Sequence, residues 1–93
     1  MQISEIKKKS IPLLKNARVT RSELFGSVSR GENTTSSDVD ILVQMPRDAS
    51  LLDFIKLKIS LENKLMRVVD LVSYDGLNKK IAKQVQNDAI KLI

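Results

Sequence analysis

At 93 residues, 42% hydrophobic and 29% charged, the chain has the size and composition of one folded domain, predicted as a single unit over 1–93, which excludes a modular enzyme with a separate substrate domain. Histidine and cysteine are absent; zinc sites, disulfides, thiol nucleophiles and imidazole bases are therefore excluded, and any catalysis must run on carboxylates, lysines, hydroxyls or a hard metal ion. Sixteen Lys+Arg against eleven Asp+Glu give +5, read either as a solvated basic surface or as attraction to something anionic, while a base-stacking nucleic-acid surface is not expected when Phe25, Phe54 and Tyr74 are the only aromatics.

The lack of cysteine fits a reducing compartment and predicts a cytoplasmic protein. No run of 18 apolar residues occurs, so no membrane-spanning segment is expected. The lysines of MQISEIKKKS are not followed by the apolar core of a secretory signal.

In chain order, residues 4–15 are predicted as a helix, with Ser4 as N-cap and Ile3, Ile6, Leu13 and Leu14 on the buried side. Pro12 is expected to kink or restart it, and Lys7, Lys8, Lys9 and Lys15 are expected to face water. Val19 to Phe25 reads as a strand. Gly26 to Ser37 is a polar loop with room for one short helical turn. Asp38 to Met45 is a second strand, stopped by Pro46. Ser50 opens the clearest helix, because Ser50 and Asp53 have the spacing of a capping box in its acidic form. Eight apolar residues from Leu51 to Leu65 follow; at 100° per residue they cover about 220° of the helix, more than a one-sided surface helix requires. One side is expected to bury against the sheet, and the rest meets either the first helix or a partner chain. Arg67 to Ser73 is a third strand. Leu77, Ile81, Val85 and Ala89 mark a last helix, and the closing residues 90–93 fit either its continuation or an extended segment. This order predicts a small α/β (α+β) domain, a mixed three-stranded sheet with helices packed mainly on one face.

Three carboxylates stand out against this frame. Asp40 interrupts the apolar run 39–43, and Asp70 interrupts 68–72. Aspartate is depleted in strands, and an ionised carboxylate among apolar neighbours is costly without a partner. No cationic residue lies within either run. Asp38, two residues before Asp40, points to the same face of a strand; Asp70 joins them if the second and third strands are neighbours. Like charges near 4 Å repel by about 1 kcal/mol in water and about 4 kcal/mol at an effective dielectric of 20. A divalent cation reverses that sign, and all-oxygen ligation that leaves room for water and phosphate suits Mg²⁺. The structural alternative for a single strand aspartate is a cap, a remote arginine partner or a place at the sheet end.

The loop before the pair completes the pattern. Gly26 frees the backbone to approach a ligand, and Ser27 offers a hydroxyl and an N–H. A helical turn over 28–31 would aim its first amides at an anion, and Arg30 can add a charge-assisted contact. A bare Gly-Ser is otherwise a turn, and Ser37 reads as a turn residue or strand-entry cap.

Gly26-Ser27, ten residues, then Asp38-x-Asp40 resembles the signature of the DNA polymerase beta-like nucleotidyltransferase superfamily. The fuller string GSVSRGENTTSSDVDILV looks like its minimal nucleotidyltransferase (MNT) branch, in which Gly-Ser-x-Ala-Arg-Gly is followed by Ser-Asp-x-Asp. Gly26, Ser27, Arg30, Gly31, Ser37, Asp38 and Asp40 match; Ser29 stands where alanine is common, and Asp70 fits the third carboxylate.

The resemblance implies a minimal nucleotidyltransferase core in which Gly26 and Ser27 hold the triphosphate, with Arg30 assisting them or bracing the loop. It implies two Mg²⁺ ions bound by Asp38 and Asp40, one of them shared with Asp70. A hydroxyl would attack the α-phosphorus of a nucleoside triphosphate, pyrophosphate would leave, and Asp70 would be the general base. Small stand-alone members are commonly antitoxins of a HEPN-domain ribonuclease toxin, and those studied as enzymes transfer AMP from ATP to a tyrosine of that toxin. A HEPN-domain protein is thus the expected partner and ATP the expected substrate. Other readings are a binding-only antitoxin, transfer to a small molecule such as an aminoglycoside, which the short chain opposes, and end addition to nucleic acid, which +5 favours and the scarce aromatics weaken.

Overall fold

The computed structural model describes residues 2–26, 38–76 and 89–93. The first helix, α1 (Ile3–Asn16), buries Ile6, Ser10 and Leu14, one residue per turn along a single stripe. The buried Ser10 hydroxyl donates to the Ile6 carbonyl at 2.6 Å, which satisfies it without a partner from outside the helix. Ser4 is not the N-cap. That place falls to Gln2, which makes no side-chain cap bond, although its carbonyl accepts from the N–H groups of Glu5 and Ile6, both at 3.1 Å. Ile3 packs against the core, and burying an isoleucine outweighs the roughly 1 kcal/mol that a serine cap would contribute. Pro12 neither ends nor restarts the helix. It lies on the exposed side, as does Lys8, whose carbonyl loses its helical donor and can turn to water instead.

The helix closes on Arg18, in the left-handed region with φ 60°. The Val19 N–H donates back to the Leu14 carbonyl at 3.0 Å. Arginine pays a steric penalty in this conformation; its guanidinium makes two 3.0 Å bonds to the carboxylate of Asp48, in the turn after the second strand. Strand β1 (Arg21–Phe25) follows, so Val19 is buried ahead of the strand rather than within it. Strand β2 (Val39–Gln44) pairs antiparallel with β1, from Arg21↔Gln44 to Phe25↔Asp40.

Helix α2 (Leu51–Leu65) starts with the expected capping box. The Asp53 N–H donates to Ser50 Oγ at 3.2 Å, and the Ser50 N–H donates to the Asp53 carboxylate at 2.9 Å. Met66 ends the helix in the left-handed region. Strand β3 (Val69–Ser73) then runs parallel to β2, in register from Val39↔Val69 to Val43↔Ser73. A helix between parallel neighbours is the connection such strands need, since a tight turn cannot reverse the chain twice.

Among the described residues the sheet has four strands, not the expected three, because residues Ile90–Lys91 form β4 on the outer edge of β1; the order is β3-β2-β1-β4. The Leu92 and Ile93 N–H groups donate to the Ser22 carbonyl, and the Ser22 N–H donates to Ile93, closing β1's second edge. The short apolar segment matched helix and strand periods alike, and the vacant edge decided between them. The last helix expected from Leu77, Ile81 and Val85 lies outside the described residues; Ala89, its final expected position, directly precedes β4 and is not helical.

Strand alternation divides the sheet into two faces. Leu24, Val39, Ile41, Val43, Val69 and Leu71 face α1 and α2 and share one core with Leu14, Leu57, Leu61 and Leu65. The other face carries Glu23, Asp40, Leu42 and Asp70. Among the described residues no helix is long and apolar enough to cross a membrane.

Candidate active site

The two strand aspartates are register partners: Asp40 of β2 lies directly beside Asp70 of β3. Paired residues on parallel neighbours point to the same side, with backbones about 4.8 Å apart. The two carboxylates therefore share the sheet face opposite α1 and α2. Asp40 is half-buried and Asp70 exposed. Asp38 is exposed and immediately precedes β2. The start of β3 is held from α2, where the Glu62 carboxylate accepts the Val69 N–H at 3.0 Å. This bond anchors the residue next to Asp70.

Gly26, directly after β1, approaches the same carboxylate. Its φ is +77°, and a Cβ built on it would overlap Oδ2 of Asp40 and lie 3.0 Å from Cγ. The strand partner of Asp40 is Phe25, so the backbone at 26 closes over the aspartate from the neighbouring strand. Ser27 and Arg30, the other candidate phosphate ligands, lie outside the described residues, as does Ser37.

Farther along the same face is a group that periodicity did not reveal. Tyr74, in a single turn of 3₁₀ helix after β3, donates its hydroxyl to Glu23 Oε1 at 2.6 Å. Arg21 pairs with the same carboxylate at 2.9 Å and stacks over the Tyr74 ring, 4.6 Å from its centroid. Burial first, and then the bond and negative charge of Glu23, raise the Tyr74 pKa well above its ordinary value; Arg21 opposes the shift. Arg21 and Glu23, two apart in a strand, signalled a shared face. Only the fold brings in Tyr74, 51 residues from Glu23.

Among the described residues no three acidic side chains converge into a ready metal cage. Two in-register carboxylates nevertheless fit Mg²⁺, which takes few protein ligands and completes its shell with water and phosphate oxygens.

A mixed sheet that sets two carboxylates in register beside a strand-ending glycine can seat a divalent cation next to a phosphate group. The chain belongs to the polymerase beta nucleotidyltransferase family, whose profile matches residues 8–93; it is a nucleotidyltransferase. MJ0435 of Methanocaldococcus jannaschii, named as a candidate protein adenylyltransferase, is 39% identical over 93 residues spanning 100% of both chains. Protein adenylyltransferase MntA of Thermococcus cleftensis is 46% identical over 67 residues, 72% of this chain and 68% of MntA. A solved minimal nucleotidyltransferase, itself so named provisionally, superposes with TM-score 0.82 at 35% identity over 97% of this chain and 95% of its own. A toxin–antitoxin crystal structure with AMP-PNP superposes with TM-score 0.81 at 28% identity, covering 94% of this chain and 72% of that one. A tri-AMPylated Shewanella oneidensis HEPN toxin in complex with its MNT antitoxin gives TM-score 0.74 at 25% identity, covering 97% and 71%.

Proposed function

We propose that this chain transfers AMP from ATP to a tyrosine hydroxyl of a HEPN-domain toxin and thereby acts as its antitoxin in the cytoplasm. The observation that carries the reading is the registry of Asp40 with Asp70 on one face, beside Gly26. The adenylyltransferase relatives and the AMPylated complex supply the acceptor class, and the AMP-PNP complex supplies the nucleotide class.

Asp38, Asp40 and Asp70 would hold Mg²⁺, which when bound neutralises phosphate charge and acidifies a nearby hydroxyl. Asp70, the more exposed of the paired carboxylates, accepts the proton of the incoming hydroxyl. The Gly26 and Ser27 amides, with the Ser27 hydroxyl, orient the triphosphate so that pyrophosphate leaves in line; Arg30 adds charge to that cradle or braces its loop. The new bond joins the tyrosine oxygen to the α-phosphorus, and the bond to the pyrophosphate oxygen breaks.

The test is incubation with the protein encoded beside it, Mg²⁺ and ATP labelled at the α-phosphate. Label is expected on the partner, absent with Asp38→Ala or Asp40→Ala and reduced roughly 10²- to 10⁴-fold with Asp70→Asn. Transfer from γ-labelled ATP instead would make the chemistry kinase-like and defeat the proposal. The exposed apolar side of α2 fits a docking surface in this reading and equally in a second one, a binding-only antitoxin, for which both alanine variants would neutralise the partner fully without transferring label.

A further inference from the structure

We propose that Gly26 is a positioning residue for Asp40: the missing side chain at 26 is the space in which the Asp40 carboxylate sits. The inference rests on the reading of Asp40 as part of the catalytic machinery, and it assigns Gly26 a task other than lending an amide to phosphate.

Two features of Gly26 are separable. The first is its φ of +77°, which most residues with a side chain avoid. The second is contact. An L-residue's Cβ would overlap Oδ2 of Asp40, stand 3.0 Å from Cγ and lie 3.3 Å from its Cβ. The last distance is tight but can relax by a few tenths of an ångström. Turning χ2 alone would move Oδ2 but leave Cγ at 3.0 Å from the new Cβ, so the Asp40 side chain is expected to leave its χ1 well. Moving to another staggered well shifts a carboxylate by roughly 2 Å, about ten times the tolerance of a metal–ligand distance. The backbone can hardly adjust in its stead, because Phe25 and Asp40 are held as partners in the β1–β2 ladder and Asp40 is paired with Asp70 on its other side. With the strands fixed on both sides, the side chain at 40 is the part that must yield.

Three-bond couplings of Asp40 in the isotope-labelled, nucleotide-free chain test this directly. Wild type is expected to show one χ1 well, and both Gly26→Ala and Gly26→Asn are expected to leave it. Asparagine tolerates positive φ better than alanine while carrying the same Cβ, so it separates collision from backbone strain and keeps the test alive if Gly26→Ala fails to fold. Unchanged couplings in a folded variant would overturn the proposal. In the transfer reaction the variants are expected to lose about 100-fold in kcat, beyond any change in the ATP KM. A raised KM at unchanged kcat would leave Gly26 its place in the phosphate cradle alone and also overturn the proposal. A wild-type chain that moved no nucleotide would count against the proposed function instead, leaving the couplings to decide what Gly26 does.

Discussion

Tyr74 keeps its proton where a free tyrosine gives it up. A phenolate facing the Glu23 carboxylate at 2.6 Å would set two negative charges against each other in a partly desolvated place, and a single arginine does not offset that. The sign of the stability effect follows. The folded chain retains the proton above pH 10, where the unfolded chain loses it, so the contribution of this bond is complete below pH 10 and drains away as pH rises toward the folded-state value. The chain has one tyrosine and no tryptophan, so its phenolate absorbance reports this residue alone. The expected titration is delayed beyond pH 10 in the folded chain and returns toward 10 in Glu23→Gln; a wild-type midpoint at 10 would show that the bond is not kept in solution. The bond runs from the end of β3 to β1 over the intervening β2, and so helps hold the strand that presents Asp40 between its neighbours.

At the scale of the element, α2 decides where the second carboxylate falls. It bridges β2 to β3, and its Glu62 receives the backbone next to Asp70. Its start depends on the reciprocal bonds of Ser50 and Asp53. Ser50→Ala is expected to cost about 1 kcal/mol in chemical denaturation. The bonds from Ser50, backbone first, also lower the Asp53 pKa below its ordinary 3.8. A lowered folded-state value means the carboxylate's contribution is intact above about pH 4 and disappears as pH falls through the folded value. Unfolding measured across that range should show a shallower acid-side loss in Ser50→Ala than in wild type. Equal slopes would mean that the Ser50 hydroxyl contributes nothing to the shift and that the backbone bond carries it alone.

At the scale of the molecule, α2 has two apolar sides of different character. Leu57, Leu61 and Leu65 are buried against the sheet and α1, whereas Leu51, Leu52, Ile55 and Ile59 stay exposed, Leu51 at 74% and Ile59 at 50%. Met66 at 82% and Val68 at 60% follow where the chain enters β3. Leu61→Ala is expected to cost roughly 2–5 kcal/mol of stability through the cavity it leaves. Ile59→Lys should stay within about 0.5 kcal/mol of wild type yet weaken binding to the proposed HEPN-domain partner at least about tenfold if that partner covers this side of α2, as a charge in a desolvated contact would. Titration calorimetry checks the second and denaturant unfolding the first; a lysine at 59 that leaves affinity unchanged would show that the partner docks elsewhere.

Much of this was present in the order of residue types. The capping box at Ser50, the 51–65 helix and the three longer strands follow from local rules acting over a few residues, and two aspartates inside apolar runs pointed to a candidate site because no cationic residue lies within either run. Other features depended on contacts that no local pattern encodes. Gln2 rather than Ser4 begins α1 because Ile3 reaches the core. Residues 90–91 form a strand because β1 had an unpaired edge. Tyr74 finds Glu23 only once β2 lies between their strands. The sequence alone determined which side chains could do chemistry, since that depends on composition and short spacing. Tertiary structure decided that Asp40 and Asp70 stand side by side and that Gly26 lies against one of them, because strand order and register are settled by long-range pairing and burial, whose partners lie tens of residues apart.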